Sequence, residues 1–399
     1  MDIKLKTSQM LLLKLASGCG DAKLDAVAEI RLFSKWDDAN RTSLAKAGAV
    51  PSLFKVLDDS RIDARLQENV MAALLNMSIN ADVKKHMVRE PGGLDAVLRI
   101  TNNGANTEVK ANAAALLYSL LADDGARKIV CSNEMLGETL VALLKDGSAR
   151  CKAEALKSMF VLAKDKVLRE ILLQEKYELL GLLVSLVTVG KVKLTEDCLA
   201  VLALLASCDT GAKALMQVSS VVPILTYLVN SGSPRGQENA TAVLLSVCRH
   251  DEGARQAMPV QTLVPALNSL RMGDSERGKD KADALLGLLG FDQYSSVAGG
   301  PNLGVSMGDS DLSVGSYYGR PGANTMPFIP THPAHINYSP PHQAKRHSHV
   351  VTTASPSPTV SDSFSNASWP KPTLKNKYMT LARSLFTPKA RNKSHSSIN

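Results

Sequence analysis

Small and apolar residues return along the chain in a pattern that no single helix accounts for. The stretch Asn69-Val-Met-Ala-Ala-Leu-Leu-Asn-Met-Ser78 reads as a helix in which Ala73 opens an apolar run, and the same small-then-apolar sequence recurs at Ala115, Ala155, Ala200, Ala242 and Ala284, with a weaker copy at Ala28. Successive anchors lie 45, 42, 40, 45, 42 and 42 residues apart. A period that regular predicts a solenoid, in which each unit buries its apolar face only against its neighbours.

Within one period the pattern reads as a long helix carrying the anchor, a short helix and a medium helix, which is the three-helix armadillo plan. Breaks rich in Gly, Asn, Asp or Ser fall at 58–60, 102–104, 145–148, 230–234 and 272–275 and separate the units. Pro51, Pro223 and Pro265 are spaced by near multiples of the period and are expected at the first position of the medium helix, where a missing N–H costs nothing. The predicted fold class is therefore all-α, a right-handed armadillo-repeat superhelical solenoid. Residues 1–20 are expected to form a capping helix, and 21–291 about six repeats with a partial last unit. The segment 292–399 is expected to be a disordered tail rich in Ser, Pro and His, too poor in apolar residues to offset its ordering entropy.

Composition narrows the class. Hydrophobic residues make up 45% of the 399 but aromatics only 4%, which suits cores of Leu, Ala and Val between helices. The six cysteines form no CxxC pair and no Cys/His cluster at zinc-ligand spacing, so reduced thiols, no metal and no cofactor are expected. No phosphate-binding loop, HExxH or GxSxG occurs, and the chain reads as non-enzymatic. No apolar run approaches the ~20 residues that cross a bilayer. The N-terminal run from Met10 to Cys19 is interrupted by Lys14 and reads as a helix leading into the first repeat, not as a targeting segment. The expected location is cytoplasmic or nuclear.

The formal charge of +8 sits mostly in the tail, where ten Lys/Arg face four Asp from residue 292 onward, leaving the repeats close to neutral and arguing against nucleic acid as partner. Four Ser/Thr-Pro pairs in the tail, at Ser339, Ser355, Ser357 and Thr387, are candidate phosphorylation sites. The segment 371–393 holds seven basic residues and no acidic one. Leu374, Tyr378, Leu381 and Leu385 share one helical face there, outside which Lys375, Lys377 and Arg383 lie, with Lys389 and Arg391 following. Such a segment suits an anionic membrane surface, an acidic protein surface or an import receptor, or is a solvated tail.

Several runs carry a family likeness as well as an architecture. Leu13-Lys-Leu-Ala-Ser-Gly, Ala28-Glu-Ile-Arg-Leu-Phe-Ser-Lys, Ala47-Gly-Ala-Val-Pro, Ala73-Leu-Leu-Asn-Met-Ser-Ile-Asn80 and Ser231-Gly-Ser-Pro-Arg-Gly-Gln-Glu-Asn-Ala240 resemble the armadillo region of plant U-box/armadillo proteins over residues 12 to 290. In that family ubiquitin transfer belongs to a U-box ahead of the repeats. No such signature occurs here, so the resemblance implies an armadillo-only, protein-binding member.

The armadillo plan places positions −4, −1 and +3 from each anchor on a concave groove that takes protein or peptide ligands. Read off the sequence, this register assigns Arg31, Asn69, Asn76, Tyr118, Glu154, Ser158, Glu196, Glu238, Thr241 and Asp283 to the partner-binding surface. The Trp-and-Asn ladder of importin-α-like receptors is absent apart from Asn76. The recurring carboxylates predict an acidic C-terminal end to the groove, onto which the basic tail could dock within the molecule. The leading expectation is a scaffold or adaptor; an accessory subunit of ubiquitin ligation and a membrane-peripheral adaptor recruited by the tail are the alternatives.

Overall fold

The computed structural model describes residues 3–59, 62–174, 178–189 and 191–291. These form twenty helices and fall within one compact unit. After α1 (Ile3–Ser17) the order long, short, medium repeats six times. The long helices are α2 (Asp21–Trp36), α5 (Ala64–Met77), α8 (Thr107–Leu121), α11 (Ala149–Ala163), α14 (Val192–Leu205) and α17 (Pro234–His250). The short ones are α3 (Asp38–Lys46), α6 (Ala81–Met87), α9 (Asp124–Val130), α12 (Lys166–Leu172), α15 (Asp209–Met216) and α18 (Glu252–Gln256). The medium ones are α4 (Ala49–Leu57), α7 (Gly93–Asn103), α10 (Met135–Asp146), α13 (Leu179–Val187), α16 (Val221–Ser231) and α19 (Val260–Arg271), and a seventh long helix, α20 (Glu276–Leu288), closes the series.

Side-chain caps set where the helices begin. Asp63, Asn106, Ser148, Ser233 and Ser275 each accept a backbone N–H from the first turn of the long helix that follows, satisfying one of its orphan donors. Asp37, Asn80, Asp123, Asp165 and Asp251 do the same for the short helices. Counted by the long-helix caps, from Gly20 through Asp63, Asn106, Ser148, Lys191 and Ser233 to Ser275, the period is 43, 43, 42, 43, 42 and 42. The tenth residue after each cap, Ile30, Ala73, Leu116, Ser158, Val201, Val243 or Leu285, is almost wholly buried. By this measure Ala115, Ala200, Ala242 and Ala284 share one position, the ninth. Ala28, Ala73 and Ala155 occupy the eighth, tenth and seventh. The repeat stands, but the alanine register slips in three of seven units.

The prolines also separate. Pro51 and Pro223 are the third residues of α4 and α16, not the first, and still fall among the N–H groups that a helix leaves unpaired. Pro265 is the sixth residue of α19 and lies inside the helix, so it does not mark the same boundary.

Each long helix packs on the next, and the medium helices stack as α4, α7, α10 and α13 and as α16 on α19. Polar bonds one period apart lock the stack. Ser78 donates to Ser119 Oγ (2.9 Å), Asn80 to Asp38 (2.8 Å), and Arg150 to Glu108 (2.7 Å) and Asn112 (2.8 Å). Because these bonds join N-terminal ends to N-terminal ends and C-terminal ends to C-terminal ends, the long helices run parallel. A cation in three of the six short helices ties each to the end of its long helix: Arg41 donates to the carbonyl of Lys35 (3.3 Å), Arg127 to Leu121 (3.3 Å) and Arg169 to Ala163 (2.8 Å). These cations complement the carbonyl end of the long-helix dipole.

Candidate protein-interaction groove

Residues 2, 5, 9, 12 and 16 after a long-helix cap follow one another at three- or four-residue steps and so share one helical stripe. At position 2 the exposed or half-exposed side chains are Arg65, Glu108, Arg150, Lys193, Arg235 and Arg277. At position 12 Leu32 is exposed and Tyr118 half-buried, and at position 16 Trp36 is exposed. On α2 this stripe faces solvent along its length, and on the later long helices it is open at position 2 and largely buried at positions 9 and 12; an armadillo stack turns it to its concave side.

Two lysines lie over aromatic rings here. Lys157 Nζ is 5.6 Å from the centre of the Tyr118 ring, one repeat upstream, and Lys164 Nζ is 4.7 Å from that of Phe160. Burial, with the Glu154 carboxylate nearby, pushes the Tyr118 phenol up to about 12. It stays a neutral hydrogen-bonding group at any physiological pH.

Of the residues assigned from sequence, Arg31 and Asn69 are half-buried and joined to each other, Arg31 Nη1 donating to Asn69 Oδ1 at 3.0 Å. Tyr118 and Glu196 keep partial exposure, and Glu196 accepts from Ser233 Oγ at 2.6 Å. Asp283 is half-exposed and pairs with Arg271 Nε at 2.6 Å. Five others are corrected. Asn76, Glu154, Ser158, Glu238 and Thr241 are buried. Asn76 bonds to Arg31 O (3.1 Å) and Ser34 Oγ (3.2 Å), Ser158 donates to Glu154 O, and Thr241 to Gln237 O. The slipped anchors explain Asn76, Glu154 and Ser158, since a shift of one or two residues turns a side chain by 100° or more. Thr241 stands at position 8, on the packed flank.

Two carboxylates of the expected acidic end of the groove go with them. Glu154 pairs with Lys157 (2.9 Å), and Glu238 pairs with Lys281 (3.1 Å) and Arg277 (3.3 Å) while accepting from Ser275 (3.1 Å). Burial pushes the Glu238 carboxyl up, but these partners together outweigh it and hold the group below the usual carboxylate range. Asp197, buried and bonded to Lys193, is pushed the other way by its burial. Of the carboxylates expected to receive the basic tail, Glu154 and Glu238 are thus buried and compensated, whereas Glu196 and Asp283 keep part of their exposure and Asp280 is exposed. The tail residues Lys375, Lys377, Arg383, Lys389 and Arg391 and the sites Ser339, Ser355, Ser357 and Thr387 lie outside the described residues. Residues that sequence reasoning passed over are Leu32, Trp36, Lys157, Lys193 and Arg235. Counting from the Asp, Asn and Ser caps would have found them.

A second concavity of about 520 Å³ lies away from this stripe, between the start of α10 and α12, lined by Cys131, Met135, Leu168 and Ile171. Burial pushes its Cys131 thiol up to about 11, which leaves it a poor nucleophile. Among the described residues no cluster of His, Cys, Asp and Glu could hold a metal ion, and no single helix is long and apolar enough to cross a bilayer.

Comparison with known proteins agrees with this geometry. The model of the plant U-box protein ARM repeat region matches residues 9–297. The chain is 33% identical to U-box domain-containing protein 18 of Arabidopsis thaliana over 210 residues, which are 51% of this chain and 29% of that protein. It thus spans less than a third of that relative's length. In structure it is similar to a crystallised engineered protein (TM-score 0.62, 21% identity, covering 71% of this chain and 68% of that one). It is similar also to a designed armadillo repeat protein in complex with the peptide (KR)4 (TM-score 0.52, 18% identity, covering 60% and 99%).

Proposed function

The chain belongs to the plant U-box protein ARM repeat family, and from that premise we propose that it is a protein-interaction scaffold whose long-helix groove binds a partner protein or peptide. One observation carries the reading. Trp36 is 78% and Leu32 58% exposed at positions 16 and 12 of the first long helix, two uncovered large side chains on one face that the solenoid gains nothing by displaying. An uncovered Trp is among the residues that dominate binding energy once a partner desolvates it. The complex of a designed armadillo repeat protein with a peptide is consistent with the same use of the fold.

Trp36 offers the test, since the chain has only two tryptophans, the other being Trp369. In a Trp369→Phe background, partners found by proximity labelling should blue-shift the fluorescence of Trp36 on binding. Trp36→Ala with Leu32→Ala should weaken them at least tenfold. Partners that bind the double variant unchanged would move the site elsewhere.

Family membership favours one second reading, a substrate-receptor role in ubiquitin ligation. Adding the chain to a reaction containing a U-box ligase should then raise ubiquitin transfer to a groove-bound partner; no change in that transfer removes the reading.

A further inference from the structure

Several ion pairs along the long helices present one sign and bury the other. On the N-terminal rim of the groove two pairs present the base with the acid underneath, side-chain exposure being 65% for Lys193 against 2% for Asp197 and 40% for Arg277 against 12% for Glu238. Lys157 at 28% over Glu154 at 9% repeats the order in the middle of α11, and in the first turn of α20 it is reversed, with Glu276 at 80% over Lys279 at 33%. On the opposite rim, where the short helices begin, the order reverses, with Asp124 at 87% over Arg127 at 24% and Asp38 at 65% over Arg41 at 8%. The acidic rim has a structural cause, because carboxylates in the first turn of a helix meet its dipole favourably.

On the basic rim the helix dipole gives no such support, although Lys193 and Arg277 also compensate the buried Asp197 and Glu238. Arg150, Lys193, Arg235 and Arg277 stand two residues after the caps of α11, α14, α17 and α20, where the dipole of each helix disfavours a cation. Because the four helices run parallel, their positive ends add to these charges instead of offsetting them. Glu108, more exposed than its partner Arg150, marks where the row begins. Inward of it lie the Tyr118 and Phe160 rings under Lys157 and Lys164.

We infer that the groove from α11 to α20 takes an extended acidic peptide of a partner protein, its carboxylates on the row Lys193, Arg235 and Arg277 and its apolar side chains turned inward. This rests on the groove being the binding surface. The spacing sharpens the ligand: packed helices stand about 8–10 Å apart, and a chain extended as polyproline II advances about 3.1 Å per residue with three residues per turn, so a carboxylate at every third residue returns to one face and matches the row. The polarity also opposes docking of the chain's own basic segment, 371–393, along this rim.

Anisotropy with two labelled ten-residue peptides on the full-length chain tests this, one with Glu and one with Lys at every third position and Leu-Ser between. The Glu peptide should bind at least tenfold tighter at about 50 mM salt, weakening steeply by about 200 mM. Lys193→Glu with Arg235→Glu should abolish that preference. Lys193→Gln with Arg235→Gln should reduce it, in case the reversal unfolds the chain. Lys375→Glu with Lys377→Glu, in the tail, should leave it intact. Equal binding of both peptides, or a preference that follows the tail lysines, overturns the inference while leaving the groove reading standing. Binding of neither peptide, together with an unshifted Trp36 signal from labelled partners, overturns both.

Discussion

The side-chain amide of Asn76 donates to the backbone carbonyl of Arg31, one repeat upstream, at 3.1 Å, and to Ser34 Oγ at 3.2 Å. Arg31 in turn holds Asn69. Two residues that a consensus register would place in contact with a ligand thus tie α2 to α5. Asn76→Ala should cost about 1–2 kcal/mol, the loss of a buried polar bond with one partner left behind. The loss should fall on the first repeat. With Phe at position 369, Trp36 fluorescence should then report an unfolding transition at lower urea than the helical circular dichroism, while peptide affinity stays unchanged. Coincident transitions at the unaltered midpoint would show that the bond couples nothing.

That relationship also shows where the sequence was legible. The period, the helix order and the linkers could all be read, because Ala, Gly, Asp and Ser at fixed intervals have local causes: caps, turns and close helix contacts. The groove register could not be read from alanines, since the middle of a long helix such as α17 is buried on nearly every side and tolerates a small residue at several adjacent positions. The caps were the better ruler, each fixed by one hydrogen bond to its own helix. The sign of the groove was hidden for a different reason. Glu238 and Lys281 are 43 residues apart, and nothing local announces that they meet.

Two buried carboxylates should respond to acid in opposite senses. Glu238 is held below its ordinary range in the fold, so its contribution is present above the unfolded-state value, ~4.3, and is lost as pH falls through the folded value. Asp197 is pushed up by burial, so its ionisation works against the fold at neutral pH and that cost disappears below ~3.9, where the unfolded chain is protonated as well. Glu238→Gln should therefore lower the melting temperature at pH 7 and Asp197→Asn should raise it, each by the equivalent of about 1 kcal/mol. Both differences should shrink towards pH 3.5. Melting scans from pH 3.5 to 7.5 check this, and shifts of the same sign at pH 7 would contradict it.

The short-helix cations are equivalent in position and unequal in energy. Arg169 is buried with its Nε on the carbonyl of Ala163, whereas Lys84, at the matching place in α6, is buried so that desolvation lowers its ammonium's proton affinity, with the Asp123 charge compensating only in part. A lysine held below its ordinary value costs stability throughout the neutral range, and the cost fades as pH rises towards ~10.4. Arg169→Met should destabilise by about 2–3 kcal/mol, because it removes a charged donor from a buried carbonyl. Lys84→Met should be neutral or stabilising at pH 7. Urea midpoints of the two variants decide the matter, and an equal loss in both would mean that the two cations do the same work.

Backbone strain supplies the last prediction. The cap before a medium helix adopts a left-handed conformation at Gly48 (φ 92°) and Gly92 (φ 71°), and the same conformation is held by Ser220 (φ 67°) before α16. Only glycine adopts it without a Cβ penalty, which is about 1 kcal/mol for other residues. No side-chain hydrogen bond from Ser220 caps the helix in return. Ser220→Gly should therefore stabilise, though by less than the full penalty, because glycine also widens the unfolded ensemble; about 0.5 kcal/mol is expected. Gly48→Ala is the counterpart. A Cβ there would meet no atom within 4 Å, so any loss comes from the backbone alone and should be about 1 kcal/mol. Urea unfolding of both variants should show midpoints moving in opposite directions with unchanged slopes. A Gly48→Ala protein as stable as the parent would place the cost of the turn in packing instead of in φ.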